Sequence, residues 1–176
     1  MKYIPILPII LHGSPVPDED GQLEERNTVT TSTYFAGKKV ILFGLPGAFT
    51  PTCTNEMLPT YEELYDKFEK DFGIDAIYCT SVNDDYVMEA WAKSLEVKKV
   101  EMLPDGNGVL ASALGMLVKK ENLGFGLRSW RYAAYIDDGE IKIMLEEPNK
   151  ENNYELDPYE VSDPATMYKE LKKFLA

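Results

Sequence analysis

The sequence predicts an α/β domain: a mixed sheet flanked by helices on both faces. Short, continuously apolar runs of strand length alternate with longer segments whose apolar residues recur at helical spacing. A hairpin signal, Asp137-Asp138-Gly139-Glu140, then breaks that alternation between two strand-like runs. Alternating units imply parallel strands with right-handed crossovers, and a late hairpin adds antiparallel strands beside them. The 176 residues, 44% of them hydrophobic, are enough for one domain around one core, and neither a linker nor a repeat divides residues 1–176.

Taken in order, Ile4, Ile6, Leu7, Ile9, Ile10 and Leu11 superficially resemble a signal peptide after Lys2. Pro5 and Pro8 interrupt that stretch and no small-residue cleavage site follows, so it reads as an N-terminal strand or packed extended segment. Residues 13–33 are polar and turn-rich, a loop with room for one short strand pair. Val40-Ile41-Leu42-Phe43 is a buried central strand. Tyr61, Leu64, Tyr65, Phe68 and Phe72 then form one helical stripe, closed by Gly73, with Pro59 kinking or breaking its first turns. Ala76-Ile77-Tyr78-Cys79 starts a second strand. Asn83-Asp84-Asp85 caps a helix whose inner face is Val87, Met88, Trp91 and Leu95. Residues 100–103 form a third strand and residues 109–114 a short helix. Strands over residues 131–136 and 141–145 flank the hairpin turn, and a last helix with Asp163 as N-cap and Pro164 at its first position buries Met167, Leu171 and Phe174. This is the arrangement of thioredoxin-like folds.

The net charge of −12 and the absence of a basic stripe argue against nucleic acid as a partner. The pairs Lys38-Lys39, Lys98-Lys99, Lys119-Lys120 and Lys172-Lys173 read as solvated surface in mixed-sign sequence. No apolar run approaches the ~20 residues that span a bilayer, so no membrane association is expected. Two cysteines without a convincing export signal point to a reducing compartment, the cytoplasm, and to catalytic or buried thiols.

In open α/β sheets, functional residues gather beyond the carboxyl ends of the strands. The loop after the first strong strand, Pro46-Gly47-Ala48-Phe49-Thr50-Pro51-Thr52-Cys53, delivers a cysteine into the first turn of a helix. Unpaired N–H groups and the helix dipole stabilise a thiolate there, and Thr50 can bring a hydroxyl to the same place. On position alone Cys53 is either such a nucleophile or a small buried hydrophobe.

The form Pro46-x-x-x-Thr50-x-x-Cys53 resembles the active-site signature of peroxiredoxins, and residues 44–53 are similar to the type II, peroxiredoxin-5-like group. Further strings match in the same order: Ser81-Val82-Asn83-Asp84, Pro104-Asp105-Gly106-Asn107-Gly108, Leu123-Gly124-Phe125-Gly126 and Arg128-Ser129-Trp130-Arg131-Tyr132. The similarity covers about residues 30–176. It implies a thiol peroxidase acting on hydrogen peroxide and organic hydroperoxides without cofactor or metal. Cys53 would attack the peroxide and become a sulfenic acid, Arg131 would reach the thiol, Thr50 would bind the substrate oxygen and Pro46 would shield the thiolate from water. Spacing alone does not separate Arg131 from Arg128; the resemblance favours Arg131. It also implies a homodimer, and regeneration by glutathione, glutaredoxin or thioredoxin, each a separate molecule because no Cys-x-x-Cys occurs.

Two positions depart from the pattern or leave it open. Relatives often carry histidine where Met57 stands. Cys79 is either a resolving cysteine, as in some relatives, or a buried strand thiol that would have to unwind structure to reach Cys53. His12, the only histidine, reads as surface or turn, so a Cys-His hydrolase is disfavoured. A thiol-disulfide oxidoreductase would want a second cysteine beside Cys53, and residues 54–56 offer none. A redox-sensing role for Cys53 stays open beside catalysis.

Overall fold

The computed structural model describes residues 1–11, 19–20, 22 and 27–176. His12 lies outside the described residues. The N-terminal segment is a strand, β1 (Pro8–Leu11), paired antiparallel with β2 (Asn27–Thr30). A five-residue helix, α1 (Thr31–Phe35), follows where a loop was expected. The main sheet then starts with β3 (Lys39–Gly44), and a loop and one π-helical turn (Cys53–Met57) lead into α2 (Leu58–Phe72). Next come β4 (Ala76–Ser81), α3 (Asp85–Ser94), β5 (Glu101–Pro104) and α4 (Val109–Ala113). A two-stranded ribbon, β6 (Leu117–Lys119) with β7 (Leu127–Ser129), precedes the hairpin β8 (Tyr132–Asp137) and β9 (Glu140–Glu146). The last helix is α5 (Pro164–Phe174).

The five-stranded sheet has the order β5-β4-β3-β8-β9, with β4 parallel to β3 and to β5, and β8 antiparallel to β3 and to β9. It is the thioredoxin-like mixed sheet. Strand alternation sends side chains to two cores. Ile41, Phe43, Ile77 and Tyr135 pack with Tyr61 and Phe68 of α2, Trp91 of α3 and Met167 of α5. Val40, Leu42, Tyr78 and Ile136 pack on the other face with Phe35 of α1 and Leu110 of α4. Fully burying each such side chain contributes ~1.5–3 kcal/mol.

Local chemistry explains the joints. Asp138 and Gly139 both have positive φ, 46° and 76°, as the tight hairpin requires. Asp84 rather than Asn83 caps α3, accepting from the Val87 amide at 3.0 Å. Asp163 caps α5 through the amides of Ala165 and Thr166. Phe174 departs from expectation: it is 49% exposed at the end of α5, with an edge contact to Tyr135, ring centres 6.0 Å apart. No helix among the described residues is long and apolar enough to cross a membrane.

Candidate active site

The site forms where β3 leaves the sheet. Pro59 has no amide hydrogen and its ring crowds the carbonyl four residues back, so an ordinary α-helical ladder cannot run through it unchanged. The irregularity expected there takes the form of the π-helical turn just ahead, with Cys53 first and Met57 last. Both side chains are wholly buried. Phe43 at the end of β3 stacks on Tyr61, centroids 4.2 Å apart, and the Tyr61 hydroxyl donates to the Ser162 carbonyl at 2.8 Å. These contacts fix α2 against the strand that carries the loop.

Arg131 reaches Cys53 because of register. Tyr132 of β8 lies opposite Gly44 of β3, so the residue before it stands beside the loop leaving β3. Arg131 is 1% exposed and every N–H of its guanidinium has an acceptor. Nε donates to the Pro158 carbonyl at 3.1 Å, and Nη2 meets both Asp157 carboxylate oxygens at 2.6 and 2.7 Å. Nη1 donates to Cys53 Sγ at 3.5 Å and Met57 Sδ at 3.4 Å. The guanidinium also lies 5.5 Å from the centre of the Tyr159 ring. Burial works to lower the Arg131 pKa, but the charges of Cys53 and Asp157 outweigh it and hold the value raised.

Thr50 Oγ1 donates its proton to the Gly47 carbonyl at 2.7 Å, leaving lone pairs to accept. The Thr50 carbonyl accepts from the Thr54 amide at 2.9 Å, and Thr54 Oγ1 from Trp91 Nε1 at 3.1 Å. Arg128, the competitor of Arg131, instead braces the loop. It donates to the carbonyls of Phe125 and Pro46 and to Asn83 Oδ1, which also accepts from the Ala48 amide. It passes so close to Gly47 that a Cβ there would lie 2.7 Å from Arg128 Nη1.

Cys79 sits in the middle of β4, between Phe43 and Met102 on the neighbouring strands, and is wholly buried. Burial, reinforced by nearby Cys53, pushes its thiol well above the ordinary range. The two cysteines are free thiols. A cleft of about 350 Å³ opens beside the loop, lined by Pro46, Thr50 and Pro51 on one side and by Lys120, Phe125 and Asp157 on the other. Lys120 corrects the sequence reading of Lys119-Lys120 as solvated surface, since it is only 2% exposed. Among the described residues no cluster of His, Cys, Asp and Glu is arranged to hold a metal ion.

The Redoxin family profile matches residues 11–160. A peroxiredoxin of Sinorhizobium fredii is 52% identical over 145 residues, covering 82% of this chain and 77% of that protein. The chain belongs to the peroxiredoxin family. As a peroxiredoxin it is a thiol-dependent peroxidase. The hybrid peroxiredoxin hyPrx5 of Haemophilus influenzae is 49% identical over 81% of this chain and 57% of its own length, in keeping with the type II, peroxiredoxin-5-like group. Among solved structures, the Plasmodium falciparum antioxidant protein, a 1-Cys peroxiredoxin, superposes with a TM-score of 0.88 at 37% identity, over 97% of this chain and 98% of that one. Within this peroxiredoxin the four residues singled out by sequence, Pro46, Thr50, Cys53 and Arg131, share one loop-and-strand junction, whereas Cys79 is held apart in β4. Sequence reasoning missed Asp157, Lys120 and the bracing role of Arg128.

Proposed function

We propose that this peroxiredoxin reduces hydrogen peroxide and organic hydroperoxides through Cys53, with Arg131 and Thr50 binding the peroxide and Pro46 screening the sulfur from water. The Arg131–Cys53 contact is the observation that carries the reading. A guanidinium beside the sulfur stabilises a thiolate. That thiolate attacks the terminal oxygen of ROOH. The S–O bond forms as the O–O bond breaks, Cys53 becomes a sulfenic acid, and the leaving RO⁻ takes up the proton that the thiol gave away, departing as water or an alcohol.

Arg131 suits this step because its two sulfur contacts are the weak ones. Nε and Nη2 are fixed by oxygen acceptors, while Nη1 meets only soft sulfur and can exchange it for a peroxide oxygen at little cost. Charge developing along the O–O bond then meets a donor already in place. Thr50 presents accepting lone pairs to the peroxide O–H, because its own proton is given to Gly47.

A separate thiol, glutathione with or without glutaredoxin, or a thioredoxin, regenerates Cys53. The depth of Cys79 in the central sheet and its raised pKa support a structural thiol rather than a resolving one. The similarity to a protein described as a 1-Cys peroxiredoxin supports the same view. A cytoplasmic location fits the two free thiols. A homodimer fits the exposed Phe49 on the active-site loop, 56% accessible.

Intact-mass spectrometry after one equivalent of peroxide tests the scheme. A gain of oxygen on Cys53 is expected, absent in Cys53→Ser. Loss of two hydrogens would move the resolving role to Cys79, and an unmodified protein would sink the reading.

A further inference from the structure

The cleft beside the loop that carries Cys53, reaching as far as the neighbouring Thr52, contains a cation for which the peroxide chemistry has no use. Lys120 is 2% exposed, yet its ammonium has no hydrogen-bonding oxygen among the described residues. Nζ lies 5.2 Å from the centre of the Trp130 ring, and the charges of Asp157 and Arg131 also reach it. A ring face attracts the charge but satisfies none of the three N–H donors. Of the two carboxylates that line the cleft, Asp157 already gives both oxygens to Arg131. Burial accordingly pushes the Lys120 pKa down. The Lys120 ammonium, nearly buried on the cleft wall and held over a ring face, makes a site that an anion would complete.

The surroundings narrow the ligand. Pro46, Pro51, Leu123 and Phe125 give the cleft apolar walls, Thr50 and Thr52 line it just ahead of Cys53 in the loop, and Glu155, exposed, supplies a carboxylate. The volume of about 350 Å³ is at the small end of ligand pockets, ~300–1,000 Å³. That suits a peptide-sized molecule rather than a protein loop. Lys120 also lies close enough to Cys53 for their charges to interact.

We propose that Lys120 anchors the carboxylate of a low-molecular-weight thiol, making this cleft the seat of the reductant that recycles Cys53. The proposal rests on Cys53 being the residue that peroxide oxidises. The bound thiol attacks the sulfenic sulfur, forming an S–S bond and releasing the oxygen as water with the thiol proton and one further proton of the sulfenic acid. A second thiol then displaces Cys53, which regains a proton, and leaves with the first as a disulfide. Glu155 receives an ammonium group when the thiol is zwitterionic, as glutathione is.

The test compares two thiols differing only in that group, N-acetylcysteine and its amide, reacting with peroxide-oxidised wild type and Lys120→Met. The preference for the carboxylate thiol is expected to fall about tenfold in the variant, the worth of one charge-assisted hydrogen bond. The ratio within each protein cancels any effect of the substitution on Cys53 itself, and comparing the ratios of the two proteins cancels the intrinsic reactivity of the thiols. An unchanged ratio overturns the proposal. Binding of S-methylglutathione and of its dimethyl ester to the reduced wild type, followed by NMR titration, supplies a measurement that needs neither the variant nor Cys53 chemistry. Tighter binding of the free acid supports the anchor, and equal binding refutes it. Should Cys53 take up no oxygen at all, the peroxidatic reading fails separately, and the titration still decides Lys120.

Discussion

Truncating Asp157 to alanine removes the carboxylate that holds Arg131 Nη2 at 2.6 and 2.7 Å. Arg131 stays buried, so its charge loses the carboxylate paired with it. Breaking one side of a fully buried pair costs ~3–5 kcal/mol. The Asp157 side chain is 39% exposed, so water can take its place in part and the cost falls to ~1–3 kcal/mol. At ~2–4 °C per kcal/mol for a chain of this size, the melting temperature drops by several degrees. The kinetic effect is larger in kind. Removing an oxyanion donor outright costs ~100–1,000-fold in rate. Here Nη1 survives but is no longer held at the sulfur, and a loss of ~10–100-fold in Cys53 oxidation is expected. Stopped-flow tryptophan fluorescence with hydrogen peroxide, alongside urea unfolding, measures both. Asp157→Asn, which keeps an acceptor and loses the charge, should fall between. Wild-type rate and wild-type urea midpoint in Asp157→Ala would refute the view that this carboxylate sets the arginine.

Three further perturbations follow. The raised pKa of Cys79, caused first by burial, means that the unfolded chain gives up this proton near pH ~8.5 while the folded one keeps it. Its contribution to stability is therefore whole below that pH and lost as pH rises, by up to ~1.4 kcal/mol per unit. Cys79→Ala should flatten the alkaline fall of the urea midpoint, and an unaltered slope would contradict this. Gly47→Ala puts a Cβ 2.7 Å from Arg128 Nη1, so the brace across the loop must shift; slower peroxide reduction with little change in thermal stability is expected, and a fully active variant argues against the brace. Phe49→Glu should move the protein toward monomer in sedimentation if the exposed ring belongs to a homodimer contact. An unchanged sedimentation coefficient removes that role.

The parts of the fold that were legible in sequence are those where many residues repeat one signal. Val40-Ile41-Leu42-Phe43 and the stripe Tyr61, Leu64, Tyr65, Phe68 and Phe72 announce β3 and α2 because whole elements are buried or half-buried. The ribbon β6–β7 has three residues in each strand, too few for a period to emerge. The short helix α1 is made of Thr31-Ser32-Thr33-Tyr34-Phe35, weak helix formers held by tertiary packing of Phe35. In the site, Cys53 was readable from its loop, but Arg131 only through family resemblance, since nothing local distinguishes it from Arg128. Asp157 meets Arg131 across 26 positions of chain, in a polar stretch without pattern. Lys120 was misread because adjacent residues of an extended segment face opposite ways. One lysine of the pair points to water and the other inward.

The saturated guanidinium of Arg131 also bears on selectivity. An arginine with free donors attracts every small anion in solution. This one has its charge met by Asp157 and its oxygen-seeking donors already engaged. Phosphate would have to loosen that pairing, whereas a neutral peroxide need only replace a sulfur at Nη1. If Arg131 binds the peroxide as proposed, discrimination against small anions at this side chain comes from the unequal strength of its acceptors, and the rate of Cys53 oxidation should be indifferent to added phosphate.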